Sequence, residues 1–160
     1  MRIKIVRFLT IVFVGFGMGP AIGHLLEMPA KMTYDGALWL KLLQTLYPPA
    51  FGPVGGTVEG VAAILSIVLA FLVRRRGPAF RWTLLGSACM VAAHVSFWLW
   101  VAPVNSVMLK LTPETLPADW THLRNQWEYT HATRAILQLI ALGAFTCSIL
   151  VETPKQLSKE

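Results

Sequence analysis

Residues 54–76 read VGGTVEGVAAILSIVLAFLVRRR, which is twenty residues with one ionisable side chain, Glu59, followed directly by three arginines. A helix needs about 20 mostly apolar residues to cross roughly 30 Å of hydrocarbon. Core helices of soluble proteins rarely run so long with so little charge. The stretch Val54–Val73 therefore predicts a transmembrane helix, and the Arg74–Arg76 triplet marks the point where it meets water.

Three further stretches of the 160-residue chain, Ile5–Leu26, Trp82–Val104 and His131–Val151, are also mostly apolar or small. Hydrophobic residues make up 55% of the sequence and charged residues only 14%, whereas a soluble domain has about 25% charged residues. No repeat, low-complexity stretch or Gly/Ser linker marks a second domain. The sequence predicts an all-α fold, a transmembrane four-helix bundle that occupies residues 1–160 as a single domain.

The net charge of +6 is unevenly distributed along the chain. Basic residues near the ends of membrane helices favour the cytoplasmic side. In this chain, the basic residues are concentrated before the first span, between the second and third spans, and after the fourth. The other two loops contain both basic and acidic residues. We therefore predict an integral protein of the bacterial inner (plasma) membrane with both termini in the cytoplasm. The same placement explains the positive charge as a topology signal, so no nucleic-acid partner is predicted.

The N-terminus has some features of a secretory signal peptide, because basic Met1–Arg7 precedes apolar Leu9–Met18. The apolar stretch is longer than the short core of a signal peptide, however. We therefore predict an uncleaved first span.

The two predicted outer loops contain local helix signals. Between Asp35 and Tyr47, hydrophobic residues recur at helical spacing, which predicts a short amphipathic helix in the membrane interface that covers the bundle. Pro48, Pro49 and Pro53 are expected to end this helix and turn the chain into the second span. Asp119 is expected to cap a helix that continues into the fourth span. The residues that define the hydrophobic face are Trp39, Leu42, Leu43 and Leu46.

Ionisable side chains occur in every predicted span, although they are costly inside a bilayer. His24 and Glu27 lie three residues apart at the end of the first span, as do Glu128 and His131 at the start of the fourth, so each pair shares a helix face. Because neighbouring spans alternate in direction, these ends are expected to meet at one depth in the outer leaflet. The remaining candidates are Glu59, His94, Asn105 and Arg134.

These candidates include three imidazoles and three carboxylates. Side chains of these types, directed into the interior of one bundle, can form a metal site. Glu-x-x-His is the ligand pair of di-iron carboxylate bundles, and it occurs here once forward and once reversed. A mixed nitrogen and oxygen set suits iron, manganese or zinc. Met28 and Met32 make copper(I) an alternative, and a haem between two histidines is another. The predicted metal ligands are His24, Glu27, Glu59, His94, Glu128 and His131.

Two readings without a metal compete with this prediction. In one, the same side chains form a relay for protons or a polar contact for a substrate. In the other, Arg134 pairs with a carboxylate and His94 forms a hydrogen bond to a neighbouring helix, so that the cluster only holds the helices together.

Three stretches of the sequence are similar to the anthrone oxygenase-like family of small four-span membrane proteins. They are GHLLEMPA at 23–30, Pro103-Val104-Asn105, and WEYTHATR at 127–134. The resemblance covers nearly the whole chain in order and spacing. It implies oxygen-dependent oxidation of a polycyclic phenolic ketone to a quinone. It also implies that the residues that matter are Asn105, Trp127, His131 and Arg134.

Two functional classes follow from the sequence. In the first, the protein is a membrane oxidoreductase or oxygenase that takes a hydrophobic phenolic or quinone-like molecule from the bilayer, with molecular oxygen as co-substrate and an iron, copper or zinc ion as the candidate cofactor. His131 would be the base or a ligand, and Arg134 would stabilise an oxyanion. In the second, the protein is a non-catalytic membrane subunit or small-molecule binder. The sequence leaves a homo-oligomer open.

Overall fold

The structure is a computed structural model, and it describes residues 2–153. The secondary-structure elements of this part of the chain are all helices, joined by short loops, and it contains no strand. Four of its helical segments, Arg2–Lys31, Gly36–Val73, Pro78–Met108 and Trp120–Leu150, are long and apolar enough to cross a membrane. The prediction of an all-α bundle with four helices long and apolar enough to span a membrane is confirmed. The helices are α1 (Arg2–Lys31), α2 (Gly36–Thr45), α3 (Gly52–Val73), α4 (Pro78–Ser96), α5 (Ala102–Met108) and α6 (Trp120–Leu150).

The four long helices form a ring in which α1 packs against α3 and α6, and α4 packs against the same two. Small residues allow the helix backbones to approach closely, as is usual in membrane bundles. At Gly86 of α4, an added Cβ would lie 2.8 Å from the ring of Phe145 on α6. The ring therefore occupies the space that any larger residue at position 86 would need.

The start of α1 and the residues after α6 lie at the same end of the bundle. Arg7 donates a hydrogen bond to Glu152 over 2.7 Å, and Arg76, between α3 and α4, donates to the same carboxylate over 3.2 Å. We call this the termini end, and the opposite end, where α2 packs, the α2 end. The buried apolar side chains at the termini end include Val14, Leu69, Val73, Met90 and Phe145.

Helix α2 closes the other end of the bundle. The side chain of Asp35 accepts a hydrogen bond from the Leu38 amide over 2.8 Å, which caps the helix N-terminus. The prediction of a short helix over the bundle is confirmed, with a correction to its buried face. Trp39, Leu40 and Leu43 are buried, whereas Leu46 is exposed and Leu42 is half-buried. Its orientation in the membrane interface stays a prediction.

Two sequence predictions about helix ends are confirmed only in part. Helix α2 does end before the prolines, at Thr45. Pro48 and Pro49 do not break the helical path, because they lie within a five-residue π-helical turn, Tyr47–Phe51, that leads directly into α3. Proline is tolerated there because the first residues of a helix have no intrahelical acceptor for their amides. Helix α6 does run unbroken from Trp120, but the Asp119 side chain makes no capping hydrogen bond.

A second π-helical turn, Phe97–Val101, joins α4 to α5. π-Helical turns inside helices often occur at functional sites, because they change the direction in which the following side chains point. Both turns of this chain border the same internal cavity.

Candidate functional site

A cavity of about 410 Å³ lies in the half of the bundle nearer the α2 end. Its volume is within the range of small-molecule sites, roughly 300–1,000 Å³. Aromatic residues of the two π-helical turns supply much of its apolar wall, among them Phe51 and Phe97. The remaining lining residues that carry polar groups include His24, Glu59, His94, Asn105, Trp127, His131 and Arg134.

The first buried ion pair joins α1 to α6 next to the rings of His24 and Trp127, which line the cavity. Lys31 is 2% exposed, and its ammonium lies 2.8 Å from the carboxylate of Glu128. Trp39 of α2 donates its indole N–H to the other Glu128 oxygen over 3.1 Å. The ammonium also lies over the rings of Tyr47 and Trp127, at 4.9 and 5.0 Å from their centroids. Carboxylate and aromatic faces together replace water around the buried cation.

The second buried ion pair joins α3 to α6. The Arg134 guanidinium donates to Glu59 Oε2, and Gln138 donates to the same oxygen over 3.2 Å. Arg134 also donates to the backbone carbonyl of Ala93 in α4 over 3.2 Å. Each buried charge in the site thus has a partner of opposite sign, which is the condition for charges to be tolerated in a membrane interior.

Two stacked histidines lie between the ion pairs. The rings of His24 and His131 are 4.1 Å apart, centroid to centroid. Lys31 Nζ lies 3.4 Å from His24 Nδ1, and Arg134 Nη1 lies 3.0 Å from His131 Nδ1. Lysine and arginine can only donate, so both Nδ1 atoms must accept. Each imidazole is therefore neutral and carries its proton on Nε2. Neither Nε2 has a hydrogen-bond partner among residues 2–153, and both rings line the cavity.

Two further hydrogen bonds position side chains around this pair. Trp127 donates its indole N–H to Asn105 Oδ1 over 2.8 Å, which leaves the Asn105 amide group free to donate. Tyr47 donates its hydroxyl to Glu27 over 2.6 Å and packs on the His24 ring at 4.6 Å. The four residues singled out by the family resemblance, Asn105, Trp127, His131 and Arg134, all line the cavity.

His94 contacts the second ion pair from α4. Its Nδ1 lies 3.7 Å from Glu59 Oε1, a buried oxygen with no hydrogen-bond partner in the described chain. Its Nε2 accepts the indole N–H of Trp98 over 3.1 Å. His94 is more accessible than the other two histidines of the site, since 30% of its side chain is exposed.

The predicted metal ligands do not assemble into one site. Within residues 2–153, no group of three or more His, Cys, Asp or Glu side chains is placed to hold a metal ion. Lys31 and Arg134 explain why, because they take the Nδ1 lone pairs of two histidines and pair with Glu128 and Glu59. Glu27 is half exposed and bonded to Tyr47, and neither it nor Glu128 lines the cavity. The metal prediction finds no support in this arrangement, which instead has the alternative pattern of an Arg134–carboxylate pair and hydrogen-bonded histidines.

Three contributors to the site were not identified from the sequence: Lys31, Tyr47 and Gln138. Lys31 carries the clearest signal, because it lies four residues after Glu27 and seven after His24 and so shares their helix face. Because Lys31 lies at the end of the first span, it was assigned to the following loop and not to the site. Gln138 follows Arg134 by one helical turn, which is the same kind of signal.

No protein-family model, curated protein or solved structure matches this chain. The resemblance to the anthrone oxygenase-like family accordingly stays a prediction that rests on the quoted motifs.

Proposed function

We propose that this protein is a membrane-embedded oxidoreductase that binds a hydrophobic phenolic or quinone-like molecule in the cavity and oxidises it with molecular oxygen. The cavity lies inside a bundle that contacts lipid, so a ligand dissolved in the bilayer has a short route to it. Apolar walls would hold the ring system of such a ligand, and the polar residues would hold its oxygen.

The observation that carries this proposal is the pair of neighbouring rings His24 and His131, each with a cationic side chain at its Nδ1 atom. Two neutral imidazoles directed this way offer N–H donors, and Lys31 and Arg134 polarise them. Donors of this kind stabilise negative charge that develops on a carbonyl or phenolic oxygen during oxidation. Asn105, oriented by Trp127, offers a third donor at the same cavity.

The test is binding and oxygen uptake by the purified protein in lipid nanodiscs. A panel of hydrophobic phenols, quinols and quinones is titrated while oxygen consumption is recorded. Asn105→Leu removes one donor and is expected to weaken binding by about tenfold, as for a hydrogen bond worth roughly 1.4 kcal/mol. His122→Gln is the matched control, because His122 lies outside this cavity. Absence of binding for every member of the panel would refute the proposal.

A second candidate function is that of a non-catalytic membrane subunit or binder with a structural polar cluster. The specific observation in its favour is that the two buried ion pairs connect α1 to α6 and α3 to α6. Ligand binding without oxygen consumption would favour a binder, and absence of both would favour a structural subunit.

We further propose that both termini lie in the cytoplasm of a bacterial cell, with the protein in the inner membrane. The support is the concentration of arginine and lysine at the termini end, where Arg7 and Arg76 lie. The cavity would then open toward the outer half of the bilayer.

A further inference from the structure

We infer that the cavity has two chemically opposite ends: a hydrogen-bond-donating end at His24, His131 and Asn105, and a proton-accepting end at His94. The ends differ in which nitrogen of each imidazole carries the proton. This inference deepens the proposed function, on which its chemical consequence rests, by assigning the base to His94 rather than to His131.

The donating end follows from the neighbours of His24 and His131. Both Nδ1 atoms face cations that can only donate, so a proton on either Nδ1 would meet another donor. A second proton on either ring would also add a third positive charge beside Lys31 and Arg134. His131 therefore presents an N–H to the cavity and is poorly placed to remove a proton.

The accepting end follows from the opposite neighbours of His94. Trp98 has only an N–H to offer, so the Nε2 atom that it contacts at 3.1 Å must accept. The Nδ1 atom faces Glu59 Oε1 at 3.7 Å, and that buried oxygen has no other partner in the part of the chain that the structure describes. A proton on Nδ1 is thus favoured by the carboxylate, and Nε2 keeps its lone pair.

This arrangement defines one proton transfer. When a ligand displaces the Trp98 indole, His94 Nε2 takes a proton from an acidic O–H or activated C–H of the ligand. The electron pair of the broken bond stays on the ligand and is delocalised onto its oxygen, which the Nε2–H groups of His24 and His131 contact. Glu59 stabilises the imidazolium that forms, as a carboxylate does behind a histidine base.

The first test needs no substrate. The chain has four histidines, so ¹⁵N-histidine spectra of the ligand-free protein in nanodiscs can be assigned with four single His→Gln variants. We expect His24 and His131 to carry the proton on Nε2, and His94 to carry it on Nδ1 at neutral pH. Finding His131 protonated on Nδ1, or His94 on Nε2, would overturn the inference.

The second test uses cyanophenol, whose phenolate has a distinct absorption band, at neutral pH, where most of the free phenol is still un-ionised. Bound to the wild type it is expected to ionise. His94→Gln should keep binding and lose the phenolate band, Trp98→Phe should strengthen the band by removing the competing N–H, and His122→Gln should change neither. An unchanged band in His94→Gln would refute the base assignment. If no phenol or quinone binds, the proposed function fails, and the spectra of the first test still decide the tautomers.

For a substrate that is oxidised, the same variants separate base from binding residue. His94→Gln is expected to lower kcat by about 10²–10⁴-fold with little change in KM, as for loss of a general base. A rise in KM alone would assign His94 to binding and contradict its role as base.

Discussion

Lys31 and Glu128 illustrate at the scale of single residues how this bundle tolerates charge in its interior. Both side chains are almost fully buried, and without Lys31 no other cation of the described chain pairs with the Glu128 carboxylate. Removing one partner of a buried pair usually costs more than removing both, because the remaining charge loses its only compensation. The same reasoning applies to Arg134 and Glu59.

We therefore predict that Lys31→Met lowers the free energy of unfolding by about 3–5 kcal/mol, whereas the double variant Lys31→Met/Glu128→Gln loses much less. Thermal unfolding in detergent measures both. Lys110→Met, at an exposed loop position, is the control and should unfold like the wild type. A double variant as unstable as the single one would contradict the pairing.

Glu152 provides a residue-scale prediction for pH. Partial burial opposes ionisation, but hydrogen bonds from Arg7 and Arg76 outweigh it and hold the pKa of the Glu152 carboxyl below its ordinary value. A carboxyl whose pKa is lowered by folding stabilises the folded state above its unfolded pKa, and this stabilisation is lost as the pH falls through the folded value.

The wild type should accordingly be more stable than Glu152→Gln at neutral pH by about 0.2–1 kcal/mol, since the pair is partly exposed. The difference should disappear as the pH falls below the ordinary carboxyl pKa of 4.5. Denaturation curves of both proteins across this range make the comparison. A difference that grows toward acid pH would have the wrong sign.

At the scale of elements, α2 is held against the bundle by its buried apolar side chains, by two hydrogen bonds that Gln44 donates, and by two hydrogen bonds to carboxylates. Trp39 bonds to Glu128 from within α2, and Tyr47 bonds to Glu27 just after it. Both acceptors are carboxylates, so each hydrogen bond is stronger than one between neutral groups. The two charged residues of α1 and α6 therefore contribute to the position of α2, together with its apolar packing.

We predict that Tyr47→Phe loosens α2 without unfolding the bundle. Loss of a hydrogen bond to a charged group is worth roughly 1.5–3 kcal/mol, so exchange of the α2 amides should accelerate by about tenfold or more. Hydrogen–deuterium exchange in nanodiscs measures this directly. Tyr34→Phe is the matched control, because only the main chain of Tyr34 forms hydrogen bonds within the described residues and the substitution keeps the ring. Equal exchange in wild type and Tyr47→Phe would show that the hydroxyl does not hold α2.

At the scale of the whole molecule, the contacts of Glu152 with Arg7 and Arg76 place the start of α1 and the residues just after α6 at one end of the bundle. Orientation relative to the cell then depends on the basic residues at that end. Association of copies of the chain into a homo-oligomer is left open by the sequence.

Reporter fusions test the orientation. Fusions after Glu160 and within Arg74–Arg81 should report the cytoplasm, and fusions near Asp35 or Glu114 should report the opposite side. Replacing Arg74, Arg75 and Arg76 with glutamine is expected to weaken this preference, whereas replacing Lys41 and Lys110 is not. A C-terminal fusion active only outside the cytoplasm would refute the orientation.

The sequence by itself determined the class of the fold and some of the residues of the site. A long apolar stretch must be removed from water, whichever helix it packs against. The hydrophobicity of the sequence is therefore enough to predict the membrane spans. Helical periodicity also predicted that His24 and Glu27, and Glu128 and His131, share helix faces. Of these four residues, His24 and His131 meet in the wall of the cavity.

Only the tertiary structure decided how these groups pair. Lys31 meets Glu128 across 97 positions of sequence, and Arg134 meets Glu59 across 75. Such distant partners depend on which helices are neighbours and on their rotation about their axes, which local periodicity does not encode. These pairings turn a predicted metal site into a histidine pair flanked by cations, because a lone pair that accepts from lysine or arginine is not available to a metal ion.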